Sequence, residues 1–247
     1  MQVSIFVWIW IAIAVLIFPI QLFITAPYGR HTKKSWGPMI SNKVGWFMME
    51  AWAPVWFVIV YLLHPSYQFY NLLFASLYLL HYINRGFIYP FRTNTKGKQM
   101  PLVIAMSAML FNSVNAGTIA YYLSRVSVYP DNYWQSWHFI AGVFLFILGF
   151  VINLKADDML IHLRKPDETG YKIPRGFLFE YISCPNHFGE IIEWLGYFLM
   201  SWNLASLSFF IWTFSNLFPR ALKHHQWYKA HFEDYPSERK AVLPGVV

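Results

Sequence analysis

Charged side chains are scarce in this chain of 247 residues, because Asp, Glu, Lys and Arg together make up only 13% of it. An average globular chain carries about a quarter charged residues. Hydrophobic residues reach 57% and aromatic residues 21%, so most of the protein surface must face lipid. The composition therefore excludes an ordinary soluble domain. It predicts a single membrane domain over residues 1–247.

Cysteine and the common cofactor motifs are also missing. The single cysteine, Cys184, excludes an internal disulfide and an all-cysteine metal site. The chain contains no G-x-G-x-x-G, no G-x-x-x-x-G-K-[ST] and no H-E-x-x-H sequence, so neither soluble nucleotide-binding fold nor a zinc protease is indicated. His224, His225 and His231 do not repeat at the short spacings of di-iron membrane desaturases. We therefore expect no metal cofactor.

Seven apolar stretches are long enough to form transmembrane helices. Crossing a bilayer core of about 30 Å takes roughly 20 residues of α-helix. The first stretch has no positive residue before it and no small-residue cleavage site, so we expect a retained helix and not a signal peptide. The predicted spans are about residues 3–25, 44–63, 69–89, 102–123, 134–154, 186–202 and 204–222.

The positive charges sort to one side of these spans. The C-terminal tail and the loops after spans one, three and five hold or adjoin 18 of the 19 lysines and arginines, and only Arg125 falls on the other side. Cytoplasmic loops carry the excess of Lys and Arg. The sequence thus predicts an all-α membrane protein of seven transmembrane helices, with the N-terminus outside and the C-terminus in the cytoplasm. The polar segments 155–185 and 223–247 then face the cytoplasm.

Ionisable groups at membrane depth mark the first candidate site, because such groups are costly there and usually functional or paired. Glu50 lies six residues inside span two, ~9 Å deep, and Tyr82 lies seven residues inside span three, ~10 Å deep. The two side chains can share a depth, with His81, Asn84 and Arg85 close in sequence to Tyr82. Taken alone, Tyr82 is more typical of a packing or interfacial tyrosine.

Two amides favour a functional cluster at this depth. Asn112 and Asn115 of span four are three residues apart and share one helix face. Glu50 paired with Arg85 or His81 as a structural carboxylate is the alternative, since buried charges must be compensated. One pair does not account for the further polar groups, so a functional cluster is the preferred interpretation.

Two polar stripes follow toward the C-terminus. Their members fall at helical spacing: Asn186, Glu190, Glu193 and Tyr197 in span six, and Arg220, His224 and Tyr228 in the tail. A stripe of this kind inside a span is not expected to face lipid. Carboxylates, amides and cations beside basic loops suit a polar ligand from the cytoplasm. Each stripe alone would also suit a helix–helix contact or a solvated face.

The C-terminal half of the chain contains a dense series of recognisable motifs: LRKP at 163–166, GYKIPRG at 170–176, LFEYI at 178–182, the segment 186–197, HHQWY at 224–228, FEDYP at 232–236 and RKAVLP at 239–244. Together these motifs resemble the steroid 5α-reductase family, also called 3-oxo-5α-steroid 4-dehydrogenases. Earlier in the chain, Trp46 with Glu50 and His81-Tyr82 with Arg85 are similar. Mammalian members have a glutamine where this chain has Met49.

The resemblance implies an NADPH-dependent membrane reductase that transfers a hydride to C5 and so reduces the Δ4 double bond of a 3-oxosteroid. Glu50 and Tyr82 match the family's pair at the steroid 3-carbonyl. The residues that resemble its cofactor-binding set are Asn153, Asp157, Arg164, Tyr171, Asn186, Glu190, Arg220, His224 and Tyr228. Trp46, Arg85 and Trp194 are additional candidates for substrate binding. Segments 155–185 and 223–247 would cover the cofactor.

The expected partners are a steroid or sterol-like enone lipid and membrane lipids, with no nucleic acid and no obligate protein partner. The expected location is the bacterial inner membrane or the endoplasmic reticulum, with the cofactor site facing the cytoplasm. A membrane methyltransferase similar to the isoprenylcysteine carboxyl methyltransferases, which use S-adenosylmethionine, is the alternative enzyme class. A related enone-lipid or sterol reductase, or a non-enzymatic lipid-binding or transport protein, also stays open.

Overall fold

The structure of the chain is a computed structural model that describes residues 2–95, 97–165, 168 and 170–247. Lys96, counted above among the cytoplasmic basic residues, and Pro166 of the family motifs lie outside the described residues, as does part of the predicted segment 155–185. The chain divides into two compact units. Unit 1 consists of Met1–Thr25 and Trp134–Val247, and unit 2 consists of Ala26–Tyr133. A single domain over the whole chain stays a prediction.

The described part of the chain is mostly helical, as predicted. In chain order the helices are α1 (Gln2–Phe23), α2 (Asn42–Leu62), α3 (Phe69–Ile83), α4 (Tyr89–Arg92), α5 (Leu102–Tyr121), α6 (Trp137–His162), α7 (Pro185–Ser201) and α8 (Leu204–His231). Helices α3 and α5 continue into π-helical turns at Asn84–Ile88 and Tyr122–Val126. Short 3-10 turns occupy Gly29–His31, Lys34–Trp36, Tyr133–Gln135 and Phe177–Glu180.

A two-stranded antiparallel sheet is the feature that the all-α prediction lacks. Strand β1 (Met39–Ser41) pairs with strand β2 (Gln99–Pro101). Each strand runs directly into a long helix, β1 into α2 and β2 into α5. The sheet therefore holds together the starts of α2 and α5. Its strands of three residues each are too short to give a strand pattern in the sequence.

Each predicted apolar span coincides with a helix, but the helices differ in length and apolarity. In the described part of the chain, four are long and apolar enough to cross a membrane: α1, α2, α6, and α5 with its π turn. Helix α3 has 15 residues and α7 has 17, which is short for an independent span. The count of seven spans and the orientation of the termini stay predictions.

Two helices run further than the sequence predicts. The apolar run of span five ends at residue 154, yet α6 continues to His162, and α8 continues past residue 222 to His231. No glycine or proline interrupts residues 155–162 or 223–231, and polar residues continue a helix that has already formed. Hydropathy therefore locates the end of an apolar stretch and not the end of the helix. Segments 155–185 and 223–247 begin as helix.

Helices α6 and α7 of unit 1 approach each other at glycines. A Cβ at Gly196 would lie 2.3 Å from the backbone nitrogen of Phe146, and one at Gly189 would lie 2.6 Å from that of Asn153. Small residues allow this close approach of helix backbones. The first turns of α7 are thereby held against the second half of α6, where several predicted site residues lie.

Candidate active site

Unit 2 contains the polar residues predicted at membrane depth. Tyr82, His81, Asn112 and Asn115 are all buried, and Glu50 is partly buried. The Asn115 side chain donates a hydrogen bond to its own helix, at the backbone oxygen one turn earlier. Polar groups of this kind are stable in an apolar interior only when they are hydrogen-bonded.

The backbone at Glu50 is held from two directions. The Asn112 side-chain nitrogen donates a hydrogen bond of 2.8 Å to the backbone oxygen of Met49, which ties α5 to α2. A Cβ at Gly86 would lie 2.7 Å from the Ala51 nitrogen and 2.8 Å from the Glu50 carbonyl carbon, so no side chain fits there without moving a helix. Asn112 and Gly86 thus fix the position of the α2 backbone from which the Glu50 side chain projects.

Tyr82 belongs to a row of aromatic rings along α3 and α2. The centre of its ring lies 4.7 Å from that of Tyr78, which in turn stacks on Phe57 at 4.6 Å. The Tyr82 hydroxyl and the charge of Glu50 both act on the Tyr78 phenol. Glu50 and Tyr82 are therefore both neighbours of Tyr78. Tyr78 was not among the residues predicted from the sequence, although its place four residues before Tyr82 on one helix face was a signal for it.

Arg85 lies in the π turn that follows α3. Its guanidinium carbon is 5.4 Å from the centre of the Trp46 ring and 4.7 Å from that of Tyr89. Both contacts are cation–π interactions. Trp46 and Arg85, two of the predicted substrate-binding residues, are thus in contact. A pairing of Glu50 with Arg85 or His81 stays a prediction.

Unit 1 contains the residues that resemble a cofactor-binding set. Asn153 and Asp157, one turn apart on α6, are only 2% and 4% exposed. The Asn153 side chain donates to the backbone oxygen of Asn186 at 3.0 Å, and the Asn186 side chain donates to the Asp157 carboxylate at 3.1 Å. The structure therefore brings these three predicted residues together at the first turn of α7. Glu190 lies one turn further along that helix.

The stripe on α8 also reaches the start of α7. The His224 ring lies 5.6 Å from the ring of His187. Tyr228, one turn later, is buried and stacks on Tyr235 at 5.3 Å. Arg220 lies one turn before His224. Because α8 continues to His231, all members of the predicted stripe share one helix.

Arg164 and Tyr171 lie beyond the end of α6 and are more accessible. The Arg164 guanidinium donates a hydrogen bond of 2.9 Å to the backbone oxygen of Gly170. Tyr171 is exposed, and its ring meets that of Trp227 nearly edge-on at 4.8 Å. An accessible arginine and an exposed ring are suited to a large charged ligand that arrives from solvent.

Trp194 has a different environment from the other candidates. It is only 1% exposed and packs edge-on against Phe209 at 4.5 Å and against Tyr197 at 5.4 Å. These are contacts of a core tryptophan within unit 1. Its predicted contact with substrate stays a prediction.

Ser183 is the centre of a polar cluster that the sequence analysis missed. Its hydroxyl donates to the backbone oxygen of Lys240 at 3.0 Å and lies 2.6 Å from both His225 Nδ1 and the Tyr235 hydroxyl. A hydroxyl has one hydrogen and two lone pairs, so all three contacts are satisfied when the histidine and the tyrosine donate. The cluster fastens the C-terminal tail to α8 and to the segment before α7.

Burial keeps the imidazole of this cluster neutral. It lowers the pKa of His225 to about 4, and the positive charges of Lys229, Arg239 and Lys240 act in the same direction. A neutral ring keeps one nitrogen protonated, as the hydrogen bond from His225 to Ser183 requires. Arg239 is itself buried and donates to the backbone oxygen of Pro174 at 3.2 Å.

Apolar helices that enclose buried polar clusters are typical of a membrane enzyme, and comparison with known proteins identifies the family. Residues 98–247 match the family described as 3-oxo-5-alpha-steroid 4-dehydrogenase. The chain is 43% identical over 237 residues to a steroid 5-alpha-reductase of Arabidopsis thaliana, which covers 91% of this chain and 88% of the relative. It is 39% identical over 227 residues to 3-oxo-5-alpha-steroid 4-dehydrogenase 1 of Rattus norvegicus, with 91% and 87% covered.

The chain therefore belongs to the 3-oxo-5-alpha-steroid 4-dehydrogenase family, whose members are oxidoreductases. The human 3-oxo-5-alpha-steroid 4-dehydrogenase 1 is 38% identical over 228 residues, which cover 88% of this chain and 85% of the relative. The predicted family and enzyme class are thereby confirmed. The same findings favour a reductase over the methyltransferase alternative.

Proposed function

We propose that this protein is an NADPH-dependent reductase that converts 3-oxo-Δ4-steroids, or closely related enone lipids, into 5α-3-oxosteroids. The observation that carries the proposal is the group formed in unit 2 by the buried Tyr82 and Tyr78 with the partly buried Glu50, found in a chain of this family. A phenol and a carboxyl group among apolar helices suit a substrate that is itself apolar except for its carbonyl.

The reaction needs a hydrogen donor at the carbonyl oxygen. NADPH, when bound, supplies the hydride that adds to C5 of the substrate. Electrons then shift from the double bond to the 3-oxo oxygen, and a preorganised donor at that oxygen lowers the barrier. The resulting enol returns to the 3-oxosteroid when C4 takes up a proton from water and the oxygen gives its proton back. Tyr82 is the direct donor in this proposal, and Glu50 orients the phenol or donates as a neutral acid. Trp46 and Arg85 contact the substrate.

The residues of unit 1 fit a dinucleotide by their chemistry. Arg164 and Arg220 supply cations of the kind that bind phosphate groups. The hydrogen-bonded amides and carboxylate of Asn153, Asn186 and Asp157 match the donors and acceptors of ribose and amide groups. The proposed cofactor-binding set is Asn153, Asp157, Arg164, Tyr171, Asn186, Glu190, Arg220, His224 and Tyr228.

The proposed enzyme crosses the membrane seven times, with the N-terminus outside and the cofactor-binding residues on the cytoplasmic side. Among the residues that the structure describes, four helices have the length and apolarity for this by themselves. Helix α3, its π turn and α4 follow one another over 15, 5 and 4 residues, and ~36 Å of such a helical run is enough for a further span. The bacterial inner membrane or the endoplasmic reticulum would supply the lipid substrate.

Purified protein with NADPH and progesterone or testosterone provides the direct test. We expect NADPH to be oxidised and the steroid to gain two hydrogens, as measured by absorbance and by mass spectrometry of the product. A thermal-shift comparison of NADPH with S-adenosylmethionine is the control. Stabilisation by S-adenosylmethionine alone, without oxidation of NADPH by any enone, would contradict the proposal and favour the methyltransferase alternative.

A further inference from the structure

Tyr78 is a buried tyrosine to which the proposed function assigns no role. Its exposed fraction is 0%, and the centre of its ring lies 4.6 Å from that of Phe57 and 4.7 Å from that of Tyr82. Packing alone would be served equally well by phenylalanine. A buried phenol carries the additional cost of its hydroxyl, which must find a hydrogen-bond partner in an apolar interior. The hydroxyl therefore requires its own explanation.

Two polar neighbours of that hydroxyl are the residues proposed to act at the carbonyl. The Tyr82 hydroxyl and the charge of Glu50 both act on the Tyr78 phenol, and the rings of Tyr78 and Tyr82 lie 4.7 Å apart. Tyr78 and Tyr82 are four residues apart on α3, so they lie on successive turns of one face. Each phenol can both donate and accept, which allows one hydroxyl to donate to the other while the second donates to a substrate.

The packing around Tyr78 fixes its ring. Phe57 stacks on it with an angle of 20° between the rings, and Tyr61 stacks on Phe57 in turn at 5.9 Å with an angle of 14°. A fully buried ring in contact with both Phe57 and Tyr82 has few alternative rotamers, so its hydroxyl stays close to Tyr82. Such support from a neighbouring residue is what keeps a reacting group in its productive geometry.

We propose that Tyr78 is a positioning residue for Tyr82, whose hydroxyl donates a hydrogen bond to the Tyr82 phenolic oxygen and so leaves the Tyr82 hydrogen for the substrate carbonyl. This inference rests on the proposed function, because it requires Tyr82 at the carbonyl. As the hydrogen moves from Tyr82 to the substrate oxygen, negative charge grows on the Tyr82 oxygen. Hydrogen bonds to a charged acceptor are stronger than those to a neutral one, so the bond gains strength in the transition state.

The test is the substitution Tyr78→Phe, which removes the hydroxyl and keeps the ring. We expect kcat for steroid reduction to fall about tenfold, while the steroid KM and the Kd for NADPH stay within about twofold, because the bond contributes to the transition state and not to binding. The solvent deuterium isotope effect on kcat should rise, since hydrogen donation by Tyr82 becomes slower. Tyr61→Phe is the matched control and should leave kcat and the isotope effect unchanged.

The outcomes separate this inference from the function on which it rests. Full activity in Tyr82→Phe would remove Tyr82 from the reaction and with it the basis for both. Loss of activity in Tyr82→Phe together with full activity in Tyr78→Phe would overturn the inference alone. A Tyr78→Phe variant with lowered kcat but an unchanged isotope effect, or with weakened NADPH binding, would assign Tyr78 a structural role and would also overturn it.

Discussion

The two units hold polar residues of different kinds at different places along their helices. In unit 2, Glu50 and Tyr82 lie in the interior of α2 and α3, among phenols and amides. In unit 1, Asp157, Asn186 and Arg220 lie where helices begin or continue into polar sequence, with basic residues nearby. The contrast indicates two kinds of ligand. An apolar molecule with one carbonyl suits the first environment, and a charged, water-soluble molecule suits the second.

The largest effect should come from the phenol of unit 2. We expect Tyr82→Phe to lower kcat with a Δ4-3-oxosteroid by about 10²- to 10⁴-fold, the range for loss of a general acid, and Glu50→Gln to lower it as well. NADPH binding, measured by thermal shift or titration, should be retained in both variants because their side chains belong to unit 2.

Full activity in either variant would take that residue out of the catalytic role. Equal loss of NADPH binding and activity would contradict the assignment of the two ligands to different units, because it would show that the same residue serves both ligands. Asn71→Ala is a useful control within α3. Asn71 is buried and hydrogen-bonded to Ser66 and Ser127, so it reports the effect of losing a polar group of unit 2 outside the proposed site.

The next effect should come from an arginine of unit 1. We expect Arg164→Ala to weaken NADPH binding about ten- to a hundredfold, since a hydrogen bond to a charged group contributes about 1.5–3 kcal/mol, and to leave steroid binding unchanged. Isothermal titration with each ligand measures both. Arg175→Ala removes an exposed charge nearby in sequence and is the matched control. An unchanged NADPH affinity in Arg164→Ala would contradict its assignment to a phosphate group.

Much of the fold could be predicted from hydropathy, because an apolar stretch of about 20 residues has few alternatives to a helix in lipid. The ends of α6 and α8 could not be predicted in this way. Beyond residue 154 and beyond residue 222 the helices continue through polar sequence, where the hydropathy signal disappears although backbone hydrogen bonding continues. Short strands such as β1 carry too few residues for a periodic pattern.

The candidate sites could be predicted only in part from the sequence. Asn153, Asp157 and Asn186 were predicted through motifs, and the structure brings them together. The cluster around Ser183 joins residues up to 57 positions apart in the chain, and no local pattern reports such contacts. Tyr78 does have a local signal, its place one helical turn before Tyr82, but in a chain that is 21% aromatic this spacing alone does not distinguish it from a packing residue.

A smaller effect should come from one glycine in each unit. A Cβ at Gly86 would come within 2.8 Å of the backbone at Glu50, and a Cβ at Gly189 would come within 2.6 Å of that at Asn153. Displacement of a reacting group by about 1 Å can cost about a hundredfold in rate, and smaller shifts cost less. We expect Gly86→Ala to lower kcat about tenfold at unchanged NADPH affinity, and Gly189→Ala to weaken NADPH binding by a similar factor.

Each glycine variant is the control for the other. Steady-state kinetics and NADPH titration on both proteins give the four values needed. If both substitutions lower kcat and NADPH affinity to the same extent, steroid reduction and NADPH binding are not divided between unit 2 and unit 1. Such a result would also indicate that the helix contacts act through general stability, which overpacking lowers by about 1–3 kcal/mol.

The smallest effect is a dependence of stability on pH within unit 1. Because the pKa of His225 is lowered from 6.5 to about 4 in the folded protein, the unfolded chain binds more protons between these values. Unfolding is therefore favoured as the pH falls from 6.5 toward 4, and the stability is fully present above 6.5. We expect the melting temperature to fall over this window, and to fall less in His225→Asn, whose amide can still donate to Ser183.

His231→Asn changes an exposed histidine of the same helix and should follow the parent protein. An equal acid dependence in His225→Asn and the parent would show that other groups set it and that the Ser183 cluster does not need a neutral imidazole.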